Sequence, residues 1–246
     1  MNDRSQKAIP KQNYILFCLL YLLLTTLHAQ ENKPEVALSH QLGSKWHVEC
    51  NFLLGVGIKN HEVGETTENE KIKISGGGGL GGVLNLGYGI TSSWDLNIGF
   101  GIQYSSLQPQ VENADGSFFR TILLTTIKYR IPVSSSGIIN IGTGAGYYLP
   151  DDLDVDVSKI PEGAHNIYSY KNAVGFHLQA EYEGFFNPNL TWIIGLKYYH
   201  ISYDLEAVSM NGISYPISDL PAEIISELGE LDGSGIDLIL SLNYYF

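Results

Sequence analysis

The sequence has few charged residues, fewer bases than acids and almost no cysteine. Only 16% of its 246 residues are charged, and 14 Lys and Arg stand against 26 Asp and Glu, for a net charge of -12. Nucleic-acid-binding proteins need basic stripes, so this balance argues against a nucleic-acid partner. The two cysteines, Cys18 and Cys50, are too few for a disulfide-rich scaffold or a cysteine zinc site. The sequence predicts neither a cofactor nor a metal.

Long apolar runs are also rare, and the one present lies at the N-terminus. Residues 14–27 are almost purely apolar, follow a basic segment and end before the small residue Ala29. This is the three-part pattern of a secretory signal peptide, and the run is shorter than the roughly 18 residues of a spanning helix. Cys18 follows Phe17, which argues against a lipoprotein signal. We predict a signal peptide over residues 1–29.

Beyond residue 30 the sequence alternates between apolar and polar side chains in eight segments, the pattern of strands with two different faces. In the clearest segment, one parity is bulky and apolar from Trp94 to Tyr104, and the other is polar or small from Asp95 to Gln103. Each segment is close to the roughly 9 to 11 residues with which a tilted strand crosses a bilayer. The predicted strands are 46–58, 80–90, 94–104, 119–131, 139–147, 174–186, 190–198 and 236–246.

Short and long connections alternate between these segments, which predicts short periplasmic turns and long extracellular loops. The interior of an eight-stranded barrel is just wide enough for side chains, so the bulky stripe must face lipid rather than a lipocalin-like cavity. We therefore predict an all-β fold, a transmembrane antiparallel up-and-down barrel over residues 45–246, in the cell outer membrane. A periplasmic N-terminal segment over residues 30–44 precedes it. The predicted long loops are 59–72, 105–118, 149–172 and 205–233.

Aromatic residues lie at the ends of the apolar stripes. Trp46, Trp94 and Trp192 begin alternate strands and form a predicted aromatic girdle at the periplasmic side. The last strand alternates and ends in Tyr244 and Phe246, and in this it resembles the assembly signal of outer-membrane barrels. The chain resembles the small eight-stranded families of the OmpA-barrel, OmpX and OmpW types. That resemblance implies the barrel-assembly machinery as a partner during insertion, contact with outer-membrane lipid and lipopolysaccharide, and a monomer.

The inward parity of the predicted strands contains five acids and four bases, with two histidines beside them. Charges in a narrow barrel are costly unless they are paired, so we interpret them as an ion-pair network that fills the lumen. This favours a structural or surface-interaction role. The pairs could instead exchange in a narrow porin-like channel for small solutes. The predicted network is Glu49, Asp95, Arg120, Lys128, Arg130, His177, Glu181, Glu183, Lys197 and Asp237, with His47 beside it.

The alternative function is enzymatic and rests on His200-Ile201-Ser202 at the outer end of the seventh strand. This tripeptide resembles the His-x-Ser element of outer-membrane lipid A deacylases, which implies a lipid A acyl hydrolase with His200 as base and Ser202 as nucleophile. In that family an Asn follows the Ser, and a Glu on the next strand orients the His. Here Tyr203 follows, and Glu230 or Asp232 is a loosely placed candidate. We predict that the chain is not an enzyme and keep the hydrolase as the alternative.

A glycine run at residues 76–82 superficially resembles a phosphate-binding loop. Such a loop needs a following helix whose N-terminus meets the phosphate. A predicted strand follows here, so we do not assign phosphate binding to this run.

Overall fold

The computed structural model describes residues 43–65, 71–107, 114–134, 137–157, 165–210, 212–220, 222, 225 and 229–246. The predicted signal peptide, and the predicted periplasmic segment up to residue 42, lie outside these residues. Within the described part of the chain, no helix is long and apolar enough to cross a membrane. The described strands are β1 (Trp46–Gly57), β2 (His61–Glu65), β3 (Lys71–Ile74), β4 (Gly79–Gly89), β5 (Trp94–Ser106), β6 (Asp115–Ser134), β7 (Gly137–Pro150), β8 (Leu153–Asp156), β9 (His165–Tyr170), β10 (Ala173–Phe185), β11 (Leu190–His200), β12 (Ser202–Met210), β13 (Ile213–Pro216), β14 (Glu230–Asp232) and β15 (Gly235–Tyr245).

Eight of these strands close into an antiparallel barrel in the order β1, β4, β5, β6, β7, β10, β11, β15. The last strand pairs with the first, with His47 opposite Tyr245 and Gly57 opposite Gly235. Closure pairs the backbone groups of every barrel strand on both sides, which is the condition for crossing hydrocarbon with strands. The eight predicted strands and their antiparallel order are confirmed.

Alternation along each strand decides which side chains face lipid. In β5 the apolar side chains from Trp94 to Tyr104 are exposed, and the alternating residues from Asp95 to Gln103 are buried. The same holds around the barrel, where Phe100 is 57% exposed and Phe176 is 67% exposed. A continuous apolar band of this kind is unstable in water and matches the lipid-facing surface of a transmembrane barrel. The bulky stripe faces outward, as predicted.

The predicted long loops are not irregular, because they contain seven further strands among the described residues. β6 continues outward and pairs with β8, β8 with β9, β9 with β12, and β12 with both β13 and β14. We call these seven strands, with the outer end of β6, the extracellular extension. Its interior is apolar and continuous with the outer end of the lumen. The buried side chains of this interior include Ile72, Ile74, Leu107, Phe118, Leu153, Val155, Tyr170, Tyr203, Leu205, Val208 and Leu231.

Candidate functional site

The inner part of the lumen is crossed by one lysine between two carboxylates. Lys128 Nζ lies 2.8 Å from Glu49 Oε2 and 3.0 Å from Glu181 Oε2, and all three side chains are buried. They come from β6, β1 and β10, and no two of these strands are neighbours in the barrel. The contacts therefore span the lumen rather than run along its wall. Asn85 donates to Glu49 at 3.0 Å, and Gln179 donates to Glu181 at 2.8 Å. We call Glu49, Lys128 and Glu181 the inner bridge.

A second layer lies nearer the periplasmic end. Arg130 Nη2 is 3.2 Å from Asp95 Oδ2, and His47 Nε2 is 3.0 Å from the same oxygen. His47 Nδ1 faces the side-chain oxygen of Asn243 at 2.9 Å. Through its two ring nitrogens His47 joins Asp95 to Asn243 in this layer.

Glu183 belongs to this periplasmic layer through neutral donors. Its carboxylate accepts the Tyr245 hydroxyl at 2.8 Å, the Thr191 hydroxyl at 2.8 Å and the Asn140 amide at 2.9 Å. Tyr245 has inward parity, in contrast to Tyr244, which is 47% exposed to the lipid side. Tyr245 was not among the predicted network residues, although its parity was a signal that its hydroxyl lies inside.

The outer end of the lumen is closed around Arg120. Its Nη1 donates to two backbone carbonyls, those of Gly76 and Gly233, each at 3.0 Å. Its Nη2 donates to the Tyr199 hydroxyl at 2.8 Å, and the guanidinium stacks 4.8 Å from the Tyr199 ring centroid. Arg120 therefore ties two turns to the barrel wall. We call these turns, residues 75–78 and 232–234, together with Arg120, the outer plug.

Glycine permits the two turns of the outer plug to touch. Gly76, Gly77 and Gly78 are buried, and a Cβ on Gly77 would overlap the Ser234 carbonyl. Gly79, which opens β4, has φ of +107°, a conformation that favours glycine. The glycine run therefore allows the backbones of the two turns to approach closely at the mouth of the barrel.

The remaining predicted network residues also lie inside the barrel. Lys197 Nζ is 3.1 Å from Asp237 Oδ2, which joins β11 to its neighbour β15 just below the outer plug. His177 Nε2 lies 2.9 Å from the Thr126 hydroxyl. Neither His177 nor Arg120 forms a salt bridge within the described part of the chain. The structure therefore brings the ten residues into one lumen, but as separate layers and not as one cluster.

A cavity of about 10 Å³ lies between the inner bridge and Lys197. A single water needs roughly this volume. The lining includes Glu49, Asn85, Leu124, Thr126, Glu181 and Lys197.

The residues of the hydrolase alternative do not form a catalytic constellation. Ser202 Oγ donates to Glu230 Oε1 at 2.6 Å, and His200 Nδ1 lies 2.9 Å from Ser234 Oγ. Within the described residues no hydrogen bond joins His200 to Ser202. Glu230 lies opposite Asp204 in the pairing of β12 with β14, and its carboxylate contacts Ser202 rather than His200.

The predicted girdle lies on the outer surface at the periplasmic end. Trp46 contacts Tyr88 and Trp94 contacts Tyr129 with their rings tilted to each other, in both cases with ring centroids 4.9 Å apart. Trp192 contacts the Tyr182 ring at 5.5 Å. At the end of the chain, Tyr244 and Phe246 form an edge-on pair at 5.3 Å, and Phe246 is 64% exposed.

Solved outer-membrane barrels have a similar fold. OprG from Pseudomonas aeruginosa aligns with a TM-score of 0.54 at 14% identity, over 84% of this chain and 97% of OprG. A major outer membrane protein from Thermus thermophilus aligns with a TM-score of 0.52 at 16% identity, over 82% of this chain and 99% of that protein. AlkL, solved in DMPC bilayers, aligns with a TM-score of 0.50 at 14% identity, over 88% of this chain and 96% of AlkL. No protein-family model matches the chain, and no curated protein matches it in sequence.

The closed barrel, its apolar exterior and these comparisons define the class. The chain has the fold of a small eight-stranded outer-membrane β-barrel protein.

Proposed function

We propose that this chain is a non-conducting, non-enzymatic outer-membrane barrel that presents its extracellular extension at the cell surface. The observation that carries this proposal is the inner bridge, in which Lys128 spans the lumen between Glu49 and Glu181. Breaking a buried ion pair by removing one partner costs about 3–5 kcal/mol, so an ion that displaced these contacts would meet a high barrier. The periplasmic layer and the outer plug add two further obstacles along the same axis.

The extracellular extension supports a surface role. Its interior is packed with apolar side chains such as Leu153 and Val208, which are fully buried. Strands that bury a common core form a defined surface rather than a set of independent loops. The engagement of Ser202 by Glu230 supports the non-enzymatic part of the proposal.

The conductance of the purified protein in planar bilayers tests the closed lumen. We expect no stepwise currents from the wild-type protein. The matched control replaces Glu49, Lys128, Glu181 and Arg120 with serine, which removes the inner bridge and the anchor of the outer plug and should give discrete channels. Heat-modified gel mobility would verify that both proteins are folded barrels. Wild-type currents as frequent as those of the serine variant would contradict the proposal.

We also propose that the barrel-assembly machinery recognises Tyr244 and Phe246. Both side chains lie on the outer surface of the final strand, where a partner can contact them before insertion. Phe246→Ala should lower the amount of protein in the outer-membrane fraction several-fold, with unfolded chain accumulating in the periplasm. Leu242→Ala is the matched control, because Leu242 lies in the same stripe and is 55% exposed. Equal outer-membrane yields for the two variants would argue against recognition of the terminal aromatic.

A further inference from the structure

The β2–β3 hairpin lies against the outer plug. Among the described residues its two strands pair only with each other and are not part of the barrel sheet. A two-stranded hairpin is marginally stable in water, so this one depends on what it packs against. Ile72 and Ile74 provide apolar contacts, because both are buried in the cluster that contains Leu231.

His61 provides a polar contact between the hairpin and the plug. Its side chain is 6% exposed, and its Nε2 lies 3.2 Å from the backbone nitrogen of Asp232, at the start of the turn 232–234. A backbone N–H can only donate, so Nε2 must accept. It accepts only while it carries no proton. The contact therefore exists for neutral His61 and is lost when the ring becomes an imidazolium.

The charged groups around His61 act in opposite directions. Burial and the Lys59 ammonium lower the pKa of His61 from its ordinary value of 6.5, and the Asp232 carboxylate opposes them with a smaller effect. Two further carboxylates of the described hairpin and β14 have partners of their own. On the hairpin, Glu62 pairs with Lys71 at 2.7 Å, and on β14, Glu230 accepts the Ser202 hydroxyl.

A second histidine contacts the same turn without this dependence on protonation. His200 Nδ1 lies 2.9 Å from the Ser234 hydroxyl. A hydroxyl can donate to a neutral ring nitrogen or accept from a protonated one. Its contact is compatible with both states of the imidazole, so His200 is a matched control for His61.

We propose that His61 is an acid-released latch that fastens the β2–β3 hairpin to the turn closing the outer mouth of the barrel. Because the pKa of His61 in the fastened state lies below 6.5, fastening is complete above pH 6.5 and is lost as the pH falls through the range below that value. Release uncovers the turn 232–234 toward the outside. This device regulates access to the outer plug, and it operates whether or not the intact barrel conducts.

Amide hydrogen exchange and NMR on the full chain in lipid nanodiscs test the latch. At about pH 7.5 the amides of residues 71–74 should be protected. At about pH 5 their protection factors, corrected for intrinsic exchange, should be lower, by about tenfold for each unit by which fastening lowers the pKa of His61. The Asp232 amide resonance should shift with the same midpoint as the His61 ring.

Two variants distinguish release of the His61 latch from a general loss of stability at acidic pH. In His61→Gln the side-chain oxygen accepts the Asp232 N–H at every pH, so hairpin protection should not change on acidification. In His200→Gln the acid-dependent loss should remain as in the wild type. The proposal is overturned if wild-type protection is the same at both pH values, or if His61→Gln loses it as the wild type does. If the hairpin of His61→Gln is unprotected at both pH values, the Asp232 amide of the wild type decides. The proposal is then overturned if that amide resonance does not shift as the His61 ring titrates.

Discussion

Replacing Lys128 with methionine should lower the free energy of unfolding by about 3–5 kcal/mol, the usual cost of removing one partner from a buried ion pair. Methionine keeps most of the length of the side chain but leaves the buried carboxylates of Glu49 and Glu181 facing each other across the lumen. The two carboxylates would then be buried without a cation. Urea unfolding, followed by the loss of heat-modified gel mobility, would measure the change.

The matched control removes all three charges of the inner bridge together, as Glu49→Gln, Lys128→Met and Glu181→Gln. Each glutamine oxygen can still accept from Asn85 or Gln179, so the wall contacts are kept. Replacing a complete buried ionic group with neutral side chains of similar volume is often neutral or stabilising. The triple variant should therefore be more stable than Lys128→Met alone. If the single and triple variants were equally stable, the inner bridge would not be an ion-paired unit.

Replacing Arg120 with alanine should release the outer plug and lower the free energy of unfolding by about 2–6 kcal/mol, since each of the two buried carbonyls left without a donor costs about 1–3 kcal/mol. The change removes the donor to the Gly76 and Gly233 carbonyls and the stacking against Tyr199. The turns 75–78 and 232–234 should become accessible to a protease added to intact cells. Mass analysis of the fragments would locate the cleavage.

Arg120→Lys separates charge from geometry. A lysine keeps the positive charge in the plug but has no planar fork to reach two carbonyls and a hydroxyl together. We expect intermediate stability and partial protease sensitivity. Gly77→Val should give the same sensitivity without touching Arg120, because its side chain would overlap the Ser234 carbonyl. Turns that stay protected in both Arg120→Ala and Gly77→Val would show that the plug is held by other contacts.

Most of the barrel was predictable because alternation has a strict period. A residue that faces lipid and one that faces the lumen differ by one position, so Trp94 and Asp95 already indicate the two faces of β5. The same parity indicated which charges enter the lumen. Tyr199 and Tyr245 also have inward parity, and both hydroxyls form hydrogen bonds within the lumen, although neither residue was predicted to belong to the network.

The extracellular extension was not predicted, because its strands are short and interrupted. The seventh predicted strand ends at Tyr198. In the structure the chain continues after a break at Ile201 as β12, in which Tyr203, Leu205 and Val208 are buried. The spacing from Leu205 to Val208 breaks the period of two, at the point where the pairing with β9 shifts register. A short apolar segment without regular alternation does not distinguish a strand from a loop.

The sequence by itself determined the eight strands, the lipid-facing surface and the charges enclosed in the lumen, because side-chain period is a local property of the chain. Only the tertiary structure decided how those charges pair and where the lumen closes. Lys128, Glu49 and Glu181 meet across the axis from strands that are not neighbours, and the glycine turn 75–78 meets the turn 232–234 from the other end of the chain. Contacts of this kind depend on the closure and register of the whole barrel, which no single segment of the sequence contains.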